Sequence, residues 1–124
     1  MDDCATTAFA EVIGEGDQTV MLLDVEGRVV AGLYVDSAGS DVSSEIGIAF
    51  GPIGREATQA MRYLGLGEWR AILCECADAN LALAPGDEGE VIVVAASPFV
   101  PVGFVRRLLD RAVRRATAWR REVA

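Results

Sequence analysis

The stretch 41-DVSSEIGIAFGPIGREATQAMRYLG-65 decides how the rest of this sequence is read. Val42, Ile46, Ala49, Phe50, Ile53, Ala57, Ala60, Met61 and Leu64 recur at steps of three and four. At about 100° per residue that spacing gathers them on one face of a helix. Glu45, Arg55, Glu56, Gln59 and Arg62 fall opposite, and a third stripe holds Gly47, Gly51, Gly54 and Thr58. A glycine inside a helix costs roughly 1 kcal/mol relative to alanine, so three of them need a reason. Small side chains about four residues apart let another backbone come close, and a second helix lying in that groove would supply the reason. Gly51-Pro52 offers a competing reading. Proline removes a helix hydrogen bond and clashes with the preceding turn, so the stretch either breaks into two short helices jointed at the glycines or runs on with a kink. In both cases one face packs on a sheet and a neighbouring stripe is left for a partner.

The flanking sequence supplies the sheet. Asp41 or Ser40 caps the start of the central helix, and Gly65-Leu66-Gly67 closes it. Before it, Thr19-Val20-Met21-Leu22-Leu23 is an apolar run suited to a strand covered on both sides. Asp24-Val25-Glu26-Gly27 turns the chain, and residues 28–35 return as a second strand. After the helix, residues 68–76 read as a third strand whose charges at Glu68, Arg70 and Glu75 suit a sheet edge. Leu81–Ala84 is a fourth strand, ended by Pro85-Gly86-Asp87-Glu88-Gly89. Glu90–Ala96 is the most apolar strand and belongs at the centre. A first helix over Asp3–Ile13 ends at Gly14-Glu15-Gly16-Asp17, and an arginine-rich last helix runs over Gly103–Glu122. The order α-β-β-α-β-β-β-α, built from a hairpin and a meander, predicts an α+β sandwich. Its five-stranded antiparallel sheet carries helices on both faces.

Composition bounds the function. The 124 residues form one domain by length, and 52% of them are hydrophobic, which suggests that a second chain covers some apolar surface. No apolar run reaches the about 18 residues of a membrane span, and the acidic start Met1-Asp2-Asp3 is unlike a signal peptide; a cytoplasmic location is the expectation. The net charge of −8 argues against nucleic-acid binding. That charge is uneven: the first 100 residues carry −13 and residues 101–124 carry +5. Histidine and lysine are absent. The chain therefore lacks a Ser-His-Asp or Cys-His pair, a histidine metal ligand, a Schiff-base lysine and a Walker-type phosphate loop. No catalytic, cofactor-binding or metal-binding set is legible, and the chain reads as non-enzymatic.

The order of elements resembles the roadblock / dynein light chain family. The resemblance is carried by Val20-Met21-Leu22-Leu23-Asp24 with Gly27, by Val29-Val30-Ala31, and by the long central helix. Leu81-Ala82-Leu83 with Pro85, Val91-Ile92-Val93-Val94, and Pro101-Val102-Gly103 opening an amphipathic last helix complete it. It spans roughly residues 5–118 and rests on soft motifs. The resemblance implies a homodimer, or a dimer with a paralogous roadblock protein, in which central helices pack together and third strands join two sheets. The interface would hold Gly47, Phe50, Gly51, Gly54, Thr58 and Met61 from the helix and Trp69, Arg70, Ala71, Ile72 and Leu73 from the third strand. It also implies work with a small Ras-like GTPase, with or without stimulation of hydrolysis. The alternatives are a dimerising scaffold that touches no GTPase and a small-ligand sensor.

Three further groups have a plainer reading beside the sharp one. Cys74-x-Cys76 could build a four-thiolate site across a twofold axis, but small cysteines more often fill core space, and Cys4 is expected to be reduced. The arginines of the last helix could dock an acidic partner or anionic lipid, or simply be solvated. Glu68, Glu75 and Asp78 are more readily solvated strand and turn acids than an acid–base pair.

Overall fold

Thr19–Leu23 (β1) and Val29–Leu33 (β2) form the expected hairpin, and its turn chemistry is visible in the computed structural model, which describes residues 3–13, 18–36 and 38–123. Asp24 Oδ1 accepts the amides of Glu26 and Arg28, both at 2.9 Å, and Gly27 takes φ +85°. An Asp side chain that mimics a turn carbonyl and a glycine free of a Cβ together set this reversal. Ile72–Glu75 (β3), Asn80–Pro85 (β4) and Val91–Ala96 (β5) complete one antiparallel sheet in the order β2-β1-β5-β4-β3. β5 lies at the centre with all six residues buried, and β3 is an edge.

Alternation along β1 and β5 divides the core into two layers. Val20, Leu22, Ile92 and Val94 face Val105, Leu108, Leu109, Ala112 and Ala116 of the last helix, Val102–Val123 (α4). Met21, Leu23, Val91 and Val93 face the other way, with Trp69 and Leu83, toward the central helix, Ser43–Leu64 (α3). Full burial of each Val or Leu contributes about 1.5–3 kcal/mol, so a strand apolar on both faces is stable only between two helical layers.

The first helix is a correction. Residues 3–13 form two single turns, Asp3–Thr6 (α1) and Ala10–Ile13 (α2), joined by tighter bonds such as Ala10 N–H to Thr7 O at 3.1 Å. Four-residue helices do not stand alone; the path instead follows the burial of Ala8 and Phe9. The Gly14–Asp17 turn and the Cys4 side chain lie outside the described residues.

Pro52 sits inside an unbroken α3, which settles the choice between break and continuity. Pro52 and Ile48 are both exposed, so the Ile48 carbonyl left without its i+4 donor opens toward water. The helix closes as expected at Gly65, φ +66°, whose N–H reaches Arg62 O at 3.1 Å. At its start, Asp41 Oδ1 accepts the Ser43 amide at 3.0 Å, and Ser43 Oγ accepts the Tyr34 amide at 2.7 Å, tying the helix to the end of β2.

The glycine stripe is a second correction. Gly47, Gly51 and Gly54 are buried against their own subunit, not presented to a second helix. A Cβ on Gly47 would lie 2.1 Å from Gly27 O; one on Gly51, 2.5 Å from Gly27 Cα; one on Gly54, 2.4 Å from Val91 Cγ2. The glycines let α3 settle directly onto the β1–β2 turn and the start of β5.

Candidate functional site

α3 lies mainly over β2, β1 and β5, while α4 covers β5, β4 and β3. The α3 side of the sheet is therefore thinly covered toward β3. Because the glycines occupy the innermost line of α3, its apolar residues are pushed to one flank. Ile46, Phe50, Ile53, Ala57 and Met61 pack on the α3-side core but stay only half-buried. Leu64 continues that flank in exposed position, and Tyr63 and Leu66 stand beside it 91% and 67% exposed. On the same side of the sheet, Ile72 and Cys74 of β3 are half-buried. Among the described residues β3 pairs only with β4, so its other edge offers free backbone groups.

The expected interface residues are thus redistributed. Phe50, Met61 and Ile72 share the half-open face. Thr58 and Trp69 turn inward instead: Trp69 Nε1 donates to Thr58 Oγ1 at 3.1 Å, and Thr58 Oγ1 donates to Gly54 O at 2.9 Å. Trp69 is buried, and sinking it draws residues 68–71 out of the strand expected over 68–76, leaving only Ile72–Glu75. Arg70 is exposed in that connection. Ala71 packs on the α4-side core, and Leu73 pairs with Ala82 on that same side at 43% exposure. Cys76 is exposed just past the strand, and Cys74 is a half-buried strand residue.

Tyr63 and Leu66 went unread in the sequence because they interrupt no pattern; one sits on the polar face and the other in a glycine-rich turn. A second unread feature is the ion pair between Glu90 and Arg120, joining the β4–β5 turn to α4. Glu90 is buried, and nothing in the sequence singles it out from the acids around it. The pair lies on the wall of a cavity of about 670 Å³ at this end of the sandwich, whose lining includes Thr58, Met61, Trp69, Asp87 and Val113.

Electrostatics elsewhere is local. Hydrogen bonds from the Ser43 hydroxyl and amide hold the Asp41 carboxyl below the usual carboxylate range. The Arg115 hydrogen bond does the same for Glu122. Burial pushes the Tyr34 phenol up, and Cys76 adds to that direction. No helix among the described residues is long and apolar enough to cross a membrane.

No family model matches the sequence, and no curated protein matches it. Solved structures do match. Gliding protein MglB from Thermus thermophilus superposes with a TM-score of 0.74 at 16% identity, over 95% of this chain and 89% of that one. Myxococcus xanthus MglB gives 0.74 at 16%, over 94% of each chain. A Roadblock/LC7 domain from Streptomyces avermitilis gives 0.73 at 14%, over 92% and 95%. An MglB structure with a tetrameric arrangement gives 0.71 at 17%, over 93% and 89%. At such identities a shared backbone path is what the likeness establishes, and it agrees with the sandwich described above: this chain has the roadblock/LC7 fold.

Proposed function

We propose that this chain is a self-associating, non-catalytic regulator that binds a small Ras-like GTPase and modulates its nucleotide cycle. The observation that carries the self-association is the half-buried flank Ile46, Phe50, Ile53, Ala57 and Met61, on the side of the sheet that Ile72 of β3 faces, beside an outer β3 edge that pairs with nothing among the described residues. A second copy packed there would bury that flank. It could also extend the sheet through β3. The tetrameric arrangement of a similarly folded MglB supports self-association as a use of this architecture. The GTPase reading rests on the resemblance to roadblock proteins, since a fold hosts many functions. The test is co-purification with a small Ras-like GTPase loaded with GDP or a non-hydrolysable GTP analogue, followed by single-turnover hydrolysis. Binding in one nucleotide state is the expected result. Equal absence of binding in both states removes the GTPase reading and leaves a scaffold.

The cavity beside Glu90 and Arg120 favours one other reading, a small-ligand sensor. Its volume falls within the range of ligand pockets, about 300–1,000 Å³. A metabolite panel read by thermal shift tests it: a saturable rise in Tm that Trp69→Ala abolishes supports a sensor, and a flat panel counts against one.

A further inference from the structure

The outer face of α4 carries a line of charge of which the fold engages little: Arg111 Nη2 donates to Glu11 O at 3.4 Å, a long bond from a side chain that stays exposed. Arg107, Arg111, Arg114 and Arg121 follow one another at i, i+4, i+7 and i+14, with Ala118 filling the i+11 place. All five are exposed, and they lie opposite the buried face of Val105, Leu109, Ala112 and Ala116. At 1.5 Å per residue the line is about 21 Å long. Arg106 is paired with Asp110 and Arg115 with Glu122, which leaves Arg107, Arg111, Arg114 and Arg121 without a carboxylate partner among the described residues. Folding gives little reason for this row. Like charges at i, i+3 and i, i+4 oppose each other, and a cation in the first half of a helix gains nothing from the helix dipole.

An aromatic step stands at the head of the line. Phe99 is 92% exposed, and Phe104, 38% exposed, lies under the Arg107 guanidinium at 5.9 Å. The turn that carries Phe99 is pinned from within: buried Asn80 donates through Nδ2 to Val100 O at 2.8 Å, and Phe99 N–H donates to Ser97 Oγ at 3.2 Å. Phe99 is therefore held out into solvent by a fixed connector.

We infer that the outer face of α4 is a docking surface for an anionic membrane, with Arg107, Arg111, Arg114 and Arg121 on the headgroups and Phe99 entering the interfacial layer. Charge complementarity chooses the occupant. The other 100 residues carry −13 and are repelled by such a surface, so only this face can approach it. A protruding aromatic beside flexible arginines suits a lipid interface, where long cationic side chains lay their stems along apolar matter and keep their heads wet. The α3 flank lies on the opposite side of the sheet, so membrane docking does not depend on self-association.

Co-sedimentation of the full chain with vesicles tests the inference. The chain is expected to bind phosphatidylcholine vesicles containing phosphatidylglycerol, to leave pure phosphatidylcholine vesicles in solution, and to dissociate as salt rises. Each neutralised arginine should weaken partitioning about fivefold, so R107Q/R114Q should lose about 25-fold. Phe99→Ala should weaken binding without altering its salt dependence. All three positions are exposed, and an unchanged circular dichroism spectrum checks that folding is intact. Failure to bind anionic vesicles overturns the inference, as does binding that R107Q/R114Q leaves unchanged. Retention on immobilised polyglutamate without binding to anionic vesicles would assign the line to an acidic protein partner and also overturn it.

Discussion

A methyl group added at Gly51 would meet the Cα of Gly27 at 2.5 Å, and backbone cannot step aside as a flexible side chain can. Gly51→Ala gains roughly 1 kcal/mol of helix propensity, yet overpacking costs about 1–3 kcal/mol and more against backbone. The expected net effect is a loss of about 2 kcal/mol, read as a lower urea midpoint. Had the stripe faced a second helix, the same change would weaken association and leave the monomer intact. Asp41 gives a pH signature. Its folded pKa is depressed by Ser43, so its contribution is present above the unfolded value and is lost as pH falls through the folded one. Asp41→Ala should therefore lower Tm at neutral pH, with the difference from the parent closing in acid. Glu90 offers a third test. Removing Arg120 leaves a buried carboxylate unpaired, and because Arg120 itself is partly exposed the expected cost of Arg120→Ala is about 2 kcal/mol. Glu90→Gln in the same chain should recover part of it.

Pro52 and β3 show how the elements divide their duties. Pro52 occupies the outer face of α3, where nothing in the subunit packs on it. Pro52→Ala should restore a hydrogen bond and stabilise the chain by about 1–2 kcal/mol, after allowing for the freedom returned to the unfolded state. The sequence places β3 at an edge through the charges at Glu68, Arg70 and Glu75; the strand does lie at an edge, but only Glu75 belongs to it. Its length was not legible, because the anchoring of Trp69 to Thr58 across the α3-side core is invisible to a count of alternating residues. The same limit applies to Asp3–Ile13: three–four spacing marks the buried side chains correctly, but a continuous helix over that span is replaced by two turns that follow the site where Phe9 docks.

The assembled sandwich presents two faces with opposite character. The α3 side is apolar and half-open. Ile53→Glu and the more exposed Leu64→Glu should each raise the dimer dissociation constant on the order of a hundredfold, read by light scattering, with an unchanged circular dichroism spectrum. A parent chain that is monomeric at micromolar concentration would sink the self-association proposal before any variant is made. Period and turn chemistry belong to neighbouring residues, so the number, order and type of the strands and the two long helices follow from the sequence, as does the segregation of positive charge into the last helix. Contacts between residues far apart belong to no local pattern. Folding alone places Gly51 on Gly27, Trp69 on Thr58 and Glu90 on Arg120, because each depends on how α3 and α4 settle on the sheet. That settling is also what turns the glycines of α3 inward and its apolar flank out.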